Sequence, residues 1–232
     1  MTTRPPLPGR IKICGLSTPE TLDAALLAGA DMVGLVRFPR SPRHVDLDAA
    51  AALAERARGR ACVVALVVNA ADDELAALAE RVRPDLLQLH GAESPERAAA
   101  IARATGIPVM KAIGIGTRED LAAIDAYRAA GASILLDAKP PKDPAALPGG
   151  NGLAFDWRLL ADLDPSLSFM LSGGLTAGCV ADAIALTRAQ AVDVSSGVES
   201  APGAKDVARI ADFVAAARSA YAKIPSAERM SP

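Results

Sequence analysis

The chain has 232 residues, of which 51% are hydrophobic and 22% charged, and its formal net charge at pH 7 is -2. That length suits one large domain or two small ones. The apolar content supports a sizeable core and excludes a disordered chain, and the lack of a basic excess argues against nucleic-acid binding. No run of about 18 apolar residues occurs, so the sequence predicts no membrane-spanning helix.

The cysteines and the N-terminus indicate the compartment. Cys14, Cys62 and Cys179 are odd in number and have no paired spacing, so we expect free thiols. The segment after Met1 lacks the apolar core of a signal peptide. Both features favour a reducing cytoplasm. Neither histidine has a Cys or an acid at ligand spacing, and we expect no metal ion.

Apolar runs of strand length alternate along the chain with Ala-rich helical patterns. The eight runs are Arg10–Cys14, Met32–Val36, Ala61–Val68, Leu86–His90, Val109–Ala112, Ser133–Asp137, Ser168–Leu171 and Ala191–Ser195. Their spacing of roughly 20 to 35 residues matches a βαβ unit. The run Val63–Val68 is apolar on both faces, as expected for a buried parallel strand.

Eight such units predict an α/β protein, a single (β/α)8 TIM barrel. An open doubly wound sheet is the alternative, but the first turn lacks the Gly-x-Gly-x-x-Gly pattern of that fold. We therefore predict one domain over residues 1–232, with flexible ends at about 1–8 and 224–232. The longest irregular stretch, Ala138–Phe155, is rich in Pro and Gly, which is typical of a functional loop.

Capping signals mark several helix boundaries. Thr18, Ser94 and Thr117 stand where an N-cap is expected, each with an acid in the first turn that follows. Helix ends are indicated by Gly29, Gly106 and Gly131.

Two reactive side chains end apolar runs: Cys14 follows Arg10–Ile13, and Asp137 follows Ile134–Leu136. In parallel β/α folds ligands bind at the C-terminal ends of the strands, so this thiol and this carboxyl can face one pocket. Lys12 points to the same face as Cys14, and its ammonium group would lower the pKa of the thiol. The alternatives are a buried, inert cysteine and an aspartate that caps a turn.

Two glycine- and serine-rich segments follow the last two predicted strands. Ser172–Thr176 offers backbone N–H groups to an anion, with a helix expected to start near Thr176, and Asp193–Val198 follows the eighth strand. In many (β/α)8 barrels these two loops hold a phosphate. The alternative is that the glycines only make tight turns.

The loop Phe38–Val45 carries Arg40 and Arg43 shortly after Arg37, and arginine suits bidentate contact with a carboxylate or a phosphate. A solvated basic loop is the alternative for at least one of the three. His90, at the end of the fourth strand, is either a proton carrier or a polar lining residue, and we favour the lining role.

Together these segments resemble the phosphoribosylanthranilate isomerase family of the tryptophan pathway. The matching segments are Lys12–Gly15, Gly29–Asp31, Phe38–Val45, Gln88–Gly91, Leu136–Asp137, Gly149–Gly150 with Gly152, Phe155–Trp157, Leu171–Leu175, Asp193–Glu199, Pro202–Gly203 and Lys205–Asp206. They occur in the family's order and cover about residues 11 to 215. No single one is decisive, but the series is specific.

The resemblance implies a (β/α)8 barrel that catalyses an Amadori rearrangement without metal or cofactor. The substrate would be N-(5-phosphoribosyl)anthranilate and the product 1-(2-carboxyphenylamino)-1-deoxy-D-ribulose 5-phosphate. Cys14 matches the general base and Asp137 the general acid. Arg43 matches the arginine facing the anthranilate, with His90 and Asp193 as further substrate contacts. The phosphate cradle is matched by Gly173, Gly174, Ser195, Ser196 and Gly197.

The chain departs from the family pattern at the expected pocket rim. His44 and Arg37 stand where aromatic residues are usual, and Ala138 replaces a threonine after the acid. Other readings stay open: a histidine-pathway sugar isomerase, whose acid–base pair is two aspartates, an indole-glycerol-phosphate synthase, expected to use a Lys/Glu set, or a phosphate-binding scaffold. We expect a small phosphorylated substrate, no nucleic-acid or membrane partner, and a monomer or homodimer.

Overall fold

The computed structural model describes residues 9–141, 147, 149–150 and 152–224. Eight parallel strands close into a barrel in chain order, which confirms the predicted fold. The strands are β1 Arg10–Cys14, β2 Met32–Arg37, β3 Cys62–Val67, β4 Leu86–Leu89, β5 Val109–Ile115, β6 Ser133–Ala138, β7 Phe169–Leu171 and β8 Ala191–Val194. Most boundaries lie within a residue of the predicted ones, but β5 runs three residues further.

Helices surround the barrel. They are α1 Pro19–Ala28, α2 Leu47–Ala57, α3 Asp72–Ala77 with a π turn Leu78–Val82, α4 Pro95–Thr105, a 3-10 turn Arg118–Ala122 leading into α5 Ala123–Ala129, a 3-10 turn Trp157–Leu160, α6 Val180–Thr187, and α7 Val207–Ala222. After β8 come a 3-10 turn Ser196–Val198 and a small antiparallel hairpin of β9 Glu199–Ala201 and β10 Ala204–Lys205.

The alternation of side chains along each strand divides the core into two layers. On β1, Ile11 and Ile13 are buried in the large apolar core that includes residues of the surrounding helices. A smaller cluster that includes Met32, Val64 and Met110 is separate from that layer and fills the barrel interior. Lys12 and Cys14, which alternate with the two isoleucines, point into the barrel. The barrel interior is therefore apolar at one level and polar near its mouth.

Capping residues form as predicted. The Thr18 and Ser94 hydroxyls accept hydrogen bonds from backbone N–H groups at the starts of α1 and α4. Thr117 forms a capping box with Asp120. Gly29 has φ 90°, the left-handed conformation that ends α1 and that a residue with a side chain rarely adopts.

The predicted flexible ends lie outside the described residues, apart from Ile224, which packs against the core. The one-domain assignment of residues 1–232 stays a prediction. In the described part of the chain, no helix is long and apolar enough to cross a membrane.

Candidate active site

One pocket at the C-terminal ends of the strands collects every site residue that the sequence predicts. Its lining includes Cys14, Arg43, His90, Asp137, Gly173, Gly174, Asp193, Ser195, Ser196 and Gly197. Strands that run parallel in a closed barrel end at the same face, so residues far apart in sequence meet there. The pocket is therefore a direct consequence of the strand order.

Cys14 lies beside a buried ion pair. The Lys12 ammonium, which is fully buried, contacts Asp193 Oδ1 at 2.8 Å. Burial raises the pKa of the Cys14 thiol, and the neighbouring Lys12 charge lowers it less than burial raises it. The expected lowering of the thiol pKa is thus wrong in its net direction, because Asp193 largely neutralises the lysine and the thiol is only 4% exposed.

Lys12 itself stays charged. Burial alone would lower the pKa of Lys12, but the charges of Asp193 and Cys14 outweigh it and hold the pKa above its usual value. A permanent ammonium therefore lies next to the sulfur, ready to stabilise a thiolate once it forms.

Asp137 is held by two contacts and is 6% exposed. Its Oδ1 accepts the N–H of Ala138 at 2.8 Å, and its Oδ2 lies 3.2 Å from His90 Nε2. The other ring nitrogen, Nδ1, lies 3.0 Å from Gln88 Nε2. Because an amide N–H donates to Nδ1, His90 carries its proton on Nε2 and donates it toward Asp137. His90 therefore lines the pocket and also holds the Asp137 carboxyl group by a hydrogen bond.

The glycines after β7 bring the backbone close to the pocket. Gly173 and Gly174 have φ 88° and 68°, and a Cβ on Gly173 would lie 2.7 Å from the Ala138 nitrogen. A side chain at Gly173 is therefore excluded both by backbone conformation and by space. The glycines have a structural cause, and they also leave the backbone N–H groups open to a ligand.

The helix predicted near Thr176 starts later. A turn covers Thr176 to Cys179, and α6 begins only at Val180. The helical N-terminus in the pocket wall is instead the 3-10 turn Ser196–Val198, whose Ser196 and Gly197 line the cavity. Its first N–H groups have no intrahelical partners, which suits an anion.

Arg43 is buried and fixed from one side. Its Nε and Nη2 donate to the two carboxylate oxygens of Glu199 at 2.7 and 2.8 Å, and Nη2 also donates to the Gly150 carbonyl at 3.1 Å. Lys205 Nζ donates to Glu199 Oε1 at 2.6 Å and to the Ser195 carbonyl at 2.9 Å. Sequence reasoning assigned no role to Glu199 or Lys205, because their burial depends on the hairpin that folds over the mouth.

The departures from the family pattern lie mostly outside the cavity. Arg37 donates to the Val45 carbonyl at 2.6 Å and approaches Glu74, and neither Arg37 nor His44 lines the pocket. Ala138 does line it. Residues 142–146, 148 and 151 of the Pro-rich loop lie outside the described residues. Among the residues that the structure describes, no three His, Cys, Asp or Glu side chains group as metal ligands.

Comparison with known proteins decides the family. Residues 11–216 match the sequence model of N-(5'-phosphoribosyl)anthranilate isomerase. The chain belongs to this family. It is an isomerase, and the family acts in tryptophan biosynthesis, as the resemblance implied.

Curated relatives of that name cover almost the whole chain. The N-(5'-phosphoribosyl)anthranilate isomerase of Rhodopseudomonas palustris (strain BisA53) is 62% identical over 212 residues, which is 91% of this chain and 97% of the relative. That of Nitrobacter hamburgensis is 60% identical over 210 residues, covering 90% and 93%.

Solved structures agree. The phosphoribosyl anthranilate isomerase of Thermotoga maritima superposes with a TM-score of 0.81 at 34% identity, covering 90% of this chain and 98% of that one. A phosphoribosyl anthranilate isomerase in complex with reduced 1-(o-carboxyphenylamino)-1-deoxyribulose 5-phosphate gives 0.78 at 33% identity, with the same coverage.

Proposed function

We propose that this protein converts N-(5-phosphoribosyl)anthranilate to 1-(2-carboxyphenylamino)-1-deoxy-D-ribulose 5-phosphate by paired acid–base catalysis. One observation carries the assignment of roles: Cys14, the last residue of β1, and Asp137, the next-to-last residue of β6, line the same pocket, next to the glycine- and serine-rich loops after β7 and β8. A proton donor, a proton acceptor and an anion cradle therefore surround one space.

The acid opens the sugar. Asp137, in its protonated form, donates to the ribose ring oxygen while the C1′–O bond breaks and the nitrogen lone pair forms a C1′=N iminium. His90 Nε2, 3.2 Å from Asp137 Oδ2, holds the carboxyl group in position. A positioned acid of this kind contributes about 10²–10⁴-fold to the rate.

The base completes the rearrangement. The Cys14 thiolate removes the C2′ proton, which the iminium acidifies, and the electron pair forms the C1′=C2′ bond of an enolamine. Protonation at C1′ and loss of the C2′ hydroxyl proton then give the aminoketose. Because burial raises the pKa of Cys14, its thiolate is a strong base once formed. The Lys12 ammonium compensates its charge.

Contacts to the two ends of the substrate would position the sugar. The backbone of Gly173 and Gly174 and the segment Ser195–Gly197 would hold the phosphate, and Arg43 would face the anthranilate. Contacts to these remote groups fix the sugar between acid and base, so that binding energy is used for orientation. Asp193 would act by holding Lys12, and it also accepts from Ser172 Oγ at 3.3 Å.

A fluorescence assay tests the proposal. Phosphoribosylanthranilate is generated in situ from anthranilate and phosphoribosyl pyrophosphate by a purified transferase, and its fluorescence decay is followed. We expect rapid decay with the wild type and a loss of kcat of about 10²-fold or more in Cys14→Ala and in Asp137→Asn, with binding retained.

Matched variants outside the pocket provide the controls. Cys62→Ala and Asp212→Asn remove the same groups from positions that do not line the cavity, and both should keep the wild-type rate. A near-normal rate in Cys14→Ala would overturn the base assignment. Turnover of the histidine-pathway aminoaldose with no decay of phosphoribosylanthranilate would overturn the substrate.

The chemistry of the proposed base also indicates the cellular compartment. A thiol base works only while reduced, which supports a cytoplasmic location. The monomer or homodimer and the absence of a nucleic-acid partner stay predictions.

A further inference from the structure

A buried charge cluster joins the two ends of the pocket. It consists of Arg43 from the loop after β2, Glu199 from β9 and Lys205 from β10, all side chains at most 6% exposed. Lys205 Nζ also contacts Ser195 Oγ at 3.2 Å, and that hydroxyl donates to the Cys14 carbonyl at 3.1 Å. The β9–β10 hairpin thus links Arg43 with the proposed phosphate end and with the backbone of the base.

The cluster carries one excess positive charge. Two cations share one carboxylate, and burial of an uncompensated charge is costly unless an anion completes the arrangement. Burial by itself lowers the pKa of Lys205, whereas the Glu199 charge opposes that change. A negatively charged substrate group is therefore the natural partner of this cluster.

The hydrogen bonds show where that anion must bind. Lys205 directs its three N–H bonds to Glu199 Oε1 and to the two oxygens of Ser195. Arg43 uses its Nε and Nη2 on Glu199 and Gly150, while Nη1 makes no hydrogen bond to the residues that the structure describes. When partners among the described residues are counted, two of the five guanidinium N–H groups, both on Nη1, are left for a ligand.

The surroundings of Nη1 fit this role. Arg43 lines the pocket, and a Cβ on Gly150 would lie 2.6 Å from Nη1. On the other side, a Cβ on Gly15 would lie 2.6 Å from Arg43 Cδ. The arginine stem therefore passes close to Gly15, and a side chain at Gly15 or at Gly150 would collide with Arg43.

We propose that Glu199 is a positioning residue that turns Arg43 so that Nη1 binds the carboxylate on the substrate's aromatic ring, and that it thereby sets the preference for a carboxylated arylamine. Lys205 and the Gly203 N–H, 3.2 Å from Glu199 Oε2, hold the carboxylate of Glu199 in place. This inference rests on the proposed role of Arg43.

The test compares two ligands that differ only in that carboxylate. They are reduced 1-(2-carboxyphenylamino)-1-deoxyribulose 5-phosphate and the corresponding reduced phenylamino compound, titrated calorimetrically into wild type, Arg43→Gln and Glu199→Gln. The side-chain amide that Glu199→Gln introduces can accept only one of the two Arg43 bonds. We expect the preference for the carboxylated ligand to fall at least about tenfold in both variants, while affinity for the phenylamino ligand changes less than about threefold.

The variants distinguish failure of the proposed Arg43 role from failure of the proposed Glu199 role. A wild type without preference, or an unchanged preference in Arg43→Gln, would overturn the proposed role of Arg43. Loss of preference in Arg43→Gln but not in Glu199→Gln would overturn the positioning role alone, and so would equal weakening of both ligands in Glu199→Gln. Glu80→Gln, at an exposed site on the π turn, should behave as wild type.

A second variant covers the case in which Glu199→Gln does not fold. Glu199→Asp keeps the charge that Lys205 and Arg43 require but shortens the side chain by one methylene. We expect Glu199→Asp to lose part of the preference for the carboxylated ligand, as Glu199→Gln does, while its thermal unfolding stays cooperative. If folded Glu199→Asp kept the full wild-type preference for the carboxylated ligand, the proposal would be contradicted.

Discussion

At the scale of single residues, Cys14 has a testable pH dependence. Burial raises the pKa of the thiol from its ordinary value of 9.0, and the active base is the thiolate. Alkylation of the free enzyme depends on the thiolate alone, whereas turnover also requires Asp137 in its protonated form. We therefore expect the logarithm of the rate of Cys14 alkylation by iodoacetamide to rise with a slope near one up to pH 9.0 and beyond.

The measurement is the rate of Cys14 alkylation by iodoacetamide between about pH 7 and 10. A plateau of this rate below about pH 8 would mean that the thiolate is already formed at rest. In that case the Lys12 charge, and not burial, would dominate the thiol.

The two histidines form a natural pair for mutation. His90 contacts Asp137 and lines the pocket, whereas His44 does neither. We expect His90→Asn to lower kcat by about 10²-fold, because Asp137 loses the hydrogen bond that positions its carboxyl group. The matched His44→Asn should keep kcat within about twofold, since it touches neither reacting group.

Steady-state kinetics separates this role from simple binding. A rise of KM in His90→Asn with kcat unchanged would indicate that His90 only contacts the substrate. That outcome would return His90 to the lining role that the sequence favoured.

At the scale of elements, the strands and their tips could be predicted because their signals are local. The continuous apolar run Val63–Val68 and the N-caps Thr18 and Ser94 depend only on neighbouring residues. Once eight such units are counted, closure of the barrel brings Cys14 and Asp137 to one face without further information.

The parts that the sequence missed depend on contacts between distant segments. Glu199 and Arg43 are 156 residues apart, and no local pattern indicates that both become buried and paired. The pKa of Cys14 likewise depends on Asp193, 179 residues later, which neutralises Lys12. The helix near Thr176 was predicted too early because glycines and a threonine also form the turn before α6.

At the scale of the whole molecule, a further buried ion pair ties the barrel wall to the helical layer. Lys111 on β5 contacts Glu93 Oε2 at 2.9 Å, and both side chains are at most 4% exposed. Glu93 also accepts the backbone N–H groups of Asn69 and Gly91, and its carbonyl accepts the Tyr127 hydroxyl at 2.8 Å. Segments after β3 and β4 and helix α5 thus meet at one residue, Glu93.

This pair should make the stability of the protein depend on pH. Burial alone would raise the pKa of Glu93, but the Lys111 charge and the hydrogen bonds outweigh it, so the pKa lies below its ordinary 4.5. A carboxylate with a lowered pKa in the folded state contributes stability above the unfolded value and loses it as pH falls. We expect Glu93→Gln to cost about 3–5 kcal/mol of unfolding free energy at pH 7, because Lys111 is left buried without its counter-charge.

Urea unfolding at a series of pH values measures the effect. The difference between wild type and Glu93→Gln should be constant above pH 4.5 and shrink below it, as the wild-type carboxylate takes up its proton. The exposed Glu80→Gln should follow the wild-type curve throughout. The stability of Glu93→Gln will still fall at low pH, because the pKa of Glu199 is also lowered. Burial alone would raise the pKa of Glu199, but the contacts with Arg43 and Lys205 outweigh burial. A difference between wild type and Glu93→Gln that persists undiminished to pH 2 would contradict a contribution from the charge of Glu93 and leave only its packing.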